Sequence, residues 1–197
     1  MASRSAEPVG LKTQALDRVI VVGTTGAGKS TFARRLAQQL GIPHVEIDAL
    51  YWDADWQAKP LPQFRELASA VAAGSRWIVD GNYGAVRDVV WPRATTVIWL
   101  NYRFATVMWR LLRRTVARAV TREQLWHGNR ESLRKSFLTR DSVLVWGVTT
   151  FHRRQRNFEA LRRGGAYPQL TWLEFRTPAQ ALRYLHALES ETGAARK

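Results

Sequence analysis

The sequence predicts an α/β fold in three layers, with a five-stranded parallel sheet flanked by helices and a basic helical segment built onto it. Three observations carry this expectation. Short continuous apolar runs suited to strands buried on both faces alternate with segments of helical period. The first such run, Val19-Ile20-Val21-Val22, leads into the glycine-rich stretch Gly23-Thr24-Thr25-Gly26-Ala27-Gly28-Lys29-Ser30, and a helix follows from Thr31 to Leu40. Strands alternating with helices in this way build a parallel sheet whose site lies at the strands' carboxyl ends.

Residues 1–15 are polar, rich in small residues and without periodicity, so they read as a disordered tail ahead of a domain spanning 16–197. The glycine-rich stretch fits the phosphate-binding pattern G-x-x-x-x-G-K-[ST] at every fixed position. Gly23, Gly26 and Gly28 permit backbone angles closed to other residues. Successive N–H groups from Gly23, Thr24, Thr25, Gly26, Ala27, Gly28, Lys29, Ser30 and Thr31 can therefore converge on phosphate oxygens beside a positive helix N-terminus. In such a cradle Lys29 reaches the β- and γ-phosphates, and Ser30 offers its hydroxyl to Mg²⁺.

Gly41-Ile42-Pro43 stops the first helix, and His44-Val45-Glu46-Ile47 reads as a short second strand ending in Asp48. Tyr51-Trp52-Asp53-Ala54-Asp55-Trp56 is too aromatic for a solvated loop. Its rings read first as a packed hydrophobic corner and second as a platform for a flat acceptor. A helix from about Pro62 to Ala73 precedes a third strand, Trp77-Ile78-Val79-Asp80, closed by Gly81-Asn82-Tyr83-Gly84, and Val97-Ile98-Trp99-Leu100 is a fourth. Phe104, Val107, Met108, Leu111, Leu112 and Val116 recur at helical spacing, predicting a helix from Phe104 to about Val120 with arginines between them. Residues 121–142 are weakly patterned. A second long helix is expected near Val143 to Arg162, ended by Gly164-Gly165. A fifth strand over Leu170 to Phe175 and a last helix from Pro178 to about Leu188 complete the chain.

Hydrophobic content of 46% and nine Trp describe a packed globular protein, read here as one domain with an insertion at about 103–163. No apolar run approaches the roughly 18 residues of a membrane span, so no membrane partner is expected. Absence of Cys and of a secretory signal suits the cytoplasm. The formal net charge of +14 is unevenly placed: residues 103–163 hold fifteen Lys and Arg against four acids. That segment calls for an anionic partner. Arg114, Arg118 and Arg122 repeat at i, i+4 on one helix face, and Arg153, Arg154 and Arg156 lie on the opposing helix. Together they read as a lid whose arginines neutralise charge on a transferring phosphoryl group, with a solvated basic face as the alternative. His44, His127, His152 and His186 show no metal-ligand spacing and are read as structural or solvated.

The phrases GTTGAGKST, EIDALYW, IVDGNY, WPRATTVIWL, GNRESL and TRDSVLVW, spread over roughly residues 17–186, resemble the P-loop kinases of the adenylate and shikimate kinase type. They are more similar still to the bacterial adenylate kinase-like, or DNA topology modulation, P-loop ATPases. The resemblance implies a P-loop NTPase fold using ATP and Mg²⁺. It also implies that Asp80 orders the Mg²⁺ with Ser30, and that Asp48 holds or deprotonates an acceptor hydroxyl. The alternative for Asp80 is a loop acid capping the Asn82 or Gly84 amides, and for Asp48 it is helix or turn capping. In adenylate kinases an arginine soon after this Asp-Gly grips the acceptor phosphate; here Arg87 is displaced along the chain, and a surface salt bridge reads equally well.

The first reading of function is an ATP- and Mg²⁺-dependent phosphotransferase acting on a small acceptor, nucleotides among the candidates. The others are a nucleic-acid-associated ATPase that uses the basic segment, and a nucleotide-binding regulator. The former lacks zinc-finger spacing, an RNA-binding aromatic signature and an evident recognition helix. GTP is disfavoured because the guanine-reading Asn-Lys-x-Asp pattern is missing.

Overall fold

The computed structural model describes residues 16–121 and 143–194. The expected tail at 1–15 and most of the weakly patterned stretch at 121–142, with Arg122, lie outside the described residues. Five strands form one parallel sheet: β1 (Arg18–Gly23), β2 (His44–Glu46), β3 (Trp77–Asp80), β4 (Thr96–Leu100) and β5 (Thr171–Phe175), in the order β2-β3-β1-β4-β5. The helices are α1 (Lys29–Leu40), α2 (Ile47–Tyr51), α3 (Leu61–Ala73), α4 (Arg87–Val90), α5 (Phe104–Thr121), α6 (Val143–Arg163) and α7 (Pro178–Ala194).

Alternation along β1 explains the layers. Val19 and Val21 point into a cluster with Phe32, Leu36, Ala181 and Leu185 of α1 and α7, whereas Ile20 and Val22 point to the other side, among Phe64, Trp91, Trp99 and Phe158. The four β1 residues are at most 1% exposed. Burying each is worth about 1.5–3 kcal/mol, which makes β1 the keel of the fold and fixes the height of the loop that leaves it.

Apart from shifts of helix ends, the largest a last helix that runs to Ala194 and not to about Leu188, the chain departs from the sequence expectation on either side of β3. The second strand stops at Glu46, and Asp48 lies in α2 instead of at a strand end. At this edge of the sheet β2 pairs only with β3, so the chain is free to turn once Ile47 has reached the core at 5% exposure. The helical turns from Gly84 to Arg93 after β3 were not foreseen either; their short apolar pattern, with Pro92 inside, carries no readable period.

Candidate functional site

The loop leaving β1 is held in the shape its glycines allow. Gly26 and Gly28 have φ of 88° and 92°, in the left-handed region, and Gly28 is the N-cap of α1. With no acidic residue in its first turn and no side chain capping it, α1 presents an unneutralised positive end toward the loop. Asn82, just past β3, ties Gly23 from both sides: its Nδ2 donates to the Gly23 carbonyl at 2.6 Å and its Oδ1 accepts from the Gly23 N–H at 3.4 Å.

Beneath the loop the Ser30 hydroxyl donates to Asp80 Oδ1 at 2.9 Å. The other Asp80 oxygen faces His44 Nε2 at 2.7 Å, and Asp80 is only 1% exposed. Asp80 and Ser30 thus meet as a paired hydroxyl and carboxylate, the oxygen donor set that suits Mg²⁺, while Gly23, Gly26 and Gly28 put no Cβ in the way of their own amides. These residues fit a metal-bound polyphosphate. His44, Glu46 and Asp80 also bring donor atoms within 4.8 Å of one another, but Glu46 pairs with Arg34 at 3.0 Å and His44 is spent on Asp80.

Lys29 joins the two halves of the site. Its Nζ donates to the Thr24 carbonyl at 3.4 Å. Burial lowers the Lys29 pKa; Asp80 and Asp48 pull it back up, and Arg154 and Arg114 push it further down. The sequence-predicted Lys29, Asp48, Asp80, Arg114 and Arg154 therefore share one electrostatic neighbourhood. Asp48 accepts from the Tyr83 hydroxyl at 2.6 Å, and the Tyr83 phenol is driven well above its ordinary pKa by burial first and the Asp48 charge second. Half-buried Arg154 has its pKa lowered by burial and by Arg153, against the attraction of Asp48 and Tyr83. Arg153 and Arg156 are exposed on α6. Arg87 stacks over the Trp91 ring at 5.3 Å, and Arg65 makes a two-pronged contact with Asp88 at 2.9 and 2.6 Å.

Tyr51, Trp52 and Trp56 pack chiefly on one another and their neighbours: Tyr51 lies 5.1 Å from Phe64 and 4.8 Å from Tyr83, and Trp52 lies 5.8 Å from Trp56. A cavity of about 10 Å³ beside Asn82, Tyr83, Arg87 and Trp91 has room for about one water.

Sequence reasoning missed His44 and the clamp by Asn82, both set by contacts across the sheet. It also missed Arg110, whose guanidinium lies 5.9 Å from the Tyr102 ring and over the loop, where a Cβ on Gly28 would come within 2.7 Å of it. A further network ties α6 to the sheet: Gln155 donates to Asn101, and Asn101 and Arg176 donate to Glu174. Burial acts to raise the Glu174 pKa, but these bonds and the Arg176 and Arg162 charges leave it below its ordinary value.

No protein-family model matches the chain. A 40-residue stretch, 20% of the chain, is 48% identical to the bifunctional pantoate ligase/cytidylate kinase of Gloeobacter violaceus, and it spans 8% of that protein. Among solved structures, the chain is similar to a gluconokinase from Sinorhizobium meliloti, at 17% identity over 89% of this chain and 93% of that one, with a TM-score of 0.49. It is also similar to the shikimate kinase from Bacteroides thetaiotaomicron, at 15% identity over 88% of this chain and 97% of that one, with a TM-score of 0.47.

Proposed function

We infer that the protein is an ATP- and Mg²⁺-dependent phosphotransferase of the P-loop kinase kind, acting on the hydroxyl of a small acceptor. The observation that carries this reading is the Ser30 hydroxyl on Asp80 at 2.9 Å, directly under a phosphate-binding loop and within the field that also contains Lys29 and Asp48. When bound, Mg²⁺ would supply neutralisation of the polyphosphate charge, and Ser30 and Asp80 are the residues that would hold it. Lys29 and the loop amides from Gly23 to Thr31 grip the polyphosphate. Asp48, fixed by Tyr83, accepts the proton of the acceptor hydroxyl as its oxygen bonds to the γ-phosphorus and the bridge to ADP breaks. Arg154 and Arg114, whose charges act on Lys29, are the residues to neutralise charge on the transferring phosphoryl group, with Arg153 and Arg156 beside Arg154 on α6 for closure over the nucleotide.

The +11 of residues 103–163 favours one second reading, a nucleic-acid-associated ATPase. A transfer screen with γ-labelled ATP over nucleoside monophosphates, sugars and small hydroxy acids separates the two. Acceptor-dependent formation of ADP and a labelled product, lost in Lys29→Ala, is the expected result. ATP hydrolysis stimulated by duplex DNA alone, with no labelled product, selects the second. Turnover and ATP affinity unchanged in Lys29→Ala would remove the basis of both.

A further inference from the structure

At the amino ends of the strands, about 20 Å along β1 from the phosphate loop, an open cleft of about 430 Å³ lies between Arg18, Pro92, Arg93, Thr95 and Gln169. Nothing in the phosphotransfer reading uses it. Two arginines enter it, and neither has an ion pair among the described residues. The nearby acids Asp17 and Asp88 are engaged elsewhere, by Arg76 at 3.0 Å and Arg65 at 2.6 Å. The Arg18 Nε is buried and has no hydrogen-bond partner. Native structures pair nearly all such atoms, so an orphaned guanidinium N–H beside a cleft points to an acceptor that is not part of the chain.

The backbone on which both arginines stand is fixed. Thr95 Oγ1 donates to the Arg18 carbonyl at 3.0 Å and accepts from the Arg18 N–H at 3.3 Å, pinning the first residue of β1. The Gln169 amide donates to the carbonyls of Trp91 and Pro92, at 3.2 and 3.4 Å, which holds the turn that carries Arg93. Two forked cations on a rigid frame, with no carboxylate among the described residues that line the cleft, match an oxyanion that offers several oxygens and more than one negative charge.

We propose that this cleft, formed by Arg18 and Arg93 at the amino end of the sheet, is a second ligand site that binds a small multivalent oxyanion. Phosphate monoesters and polycarboxylates share that chemistry. The site is separate from the nucleotide loop, and its occupancy does not depend on what the loop does.

The test is a site-resolved NMR titration of the whole chain with inorganic phosphate and, in parallel, with citrate. The expected result for phosphate is two saturable responses. One appears at the loop amides of residues 24–30 and vanishes in Lys29→Ala. The other appears at the Arg18 Nε–H and the amides of 93–95, survives in Lys29→Ala, and weakens at least tenfold in Arg93→Gln and in Arg18→Gln. Response of the cleft to phosphate but not citrate names the phosphate source, and the reverse names the carboxylate source. Arg93 is exposed, so Arg93→Gln decides the matter even if Arg18→Gln impairs folding. Failure of both anions to move the cleft resonances below about 10 mM overturns the proposal, as does binding there undiminished in Arg93→Gln.

Discussion

The contact between His44 and Asp80 sets a magnitude that can be measured. Asp80 is 1% exposed and has two described partners, Ser30 at 2.9 Å and His44 at 2.7 Å, with the His44 side chain 11% exposed. A hydrogen bond to a buried carboxylate is worth about 1.5–3 kcal/mol, whereas an exposed ion pair gives about 0–1. His44→Ala should therefore lower unfolding free energy by at least the first figure, since it strips one partner from a charge that water cannot reach. Asp80→Asn keeps the volume and can still satisfy both neighbours, with its amide toward one and its oxygen toward the other, so it should cost less than Asp80→Ala. A double-mutant cycle of His44→Ala and Asp80→Ala, in which each single change removes the contact, isolates the pair when read by urea denaturation. A coupling of about 1.5 kcal/mol or more is expected. Coupling below about 0.5 kcal/mol would refute the claim that His44 positions this carboxylate.

Asp48→Asn should separate chemistry from donor binding: transfer falls by about 10²-fold or more while ATP affinity by calorimetry is kept, and equal loss of both would make Asp48 a cap or a ligand of the metal. Changing Arg153, Arg154 and Arg156 together to Gln should depress transfer with little effect of duplex DNA on either protein. Salt-steep DNA binding, with a log-log slope flattened by about 2–3 in the triple variant and ATP turnover intact, would assign the segment to nucleic acid. Alkali should weaken the fold through Tyr102, whose phenol burial pushes up to about 12, with Arg110 pulling the other way. An unfolded phenol loses its proton near pH 10 and the folded one keeps it, so this stabilisation is whole below pH 10 and lost as pH rises to about 12, a fall of roughly 2–3 kcal/mol. Urea midpoints across that range should drop less in Tyr102→Phe than in the parent, and identical slopes would count against the assignment.

The phosphate loop was legible because its chemistry is contiguous: strand, glycines, Lys29, Ser30 and helix follow one another, and no distant residue is needed to name it. Asp80 was legible as the polar end of an apolar strand. The strand and helix boundary at Glu46 was not, because Val45 and Ile47 continue one apolar alternation and pack against the same core cluster although the backbone changes from strand to helix between them. His44 lies 36 residues from Asp80 and Asn82 lies 59 from Gly23, and each contact exists only because β3 sits between β2 and β1. Periodicity says which face a residue takes; it does not say which strands become neighbours.

The glycines of the loop also determine what can move. A Cβ on Gly26 would stand 2.8 Å from Leu111 Cβ and 3.0 Å from the Val107 carbonyl, and one on Gly147 would stand 2.6 Å from Leu111 Cδ2. Leu111 is therefore the tooth on which loop and helices meet: its Cβ and the Val107 carbonyl hold the loop main chain against α5 with no side chain between, while its far end, with Met108, fills the gap to α6. A shift of a few tenths of an ångström in the loop at Gly26 is passed directly to α5, and reaches α6 only through side chains that can turn.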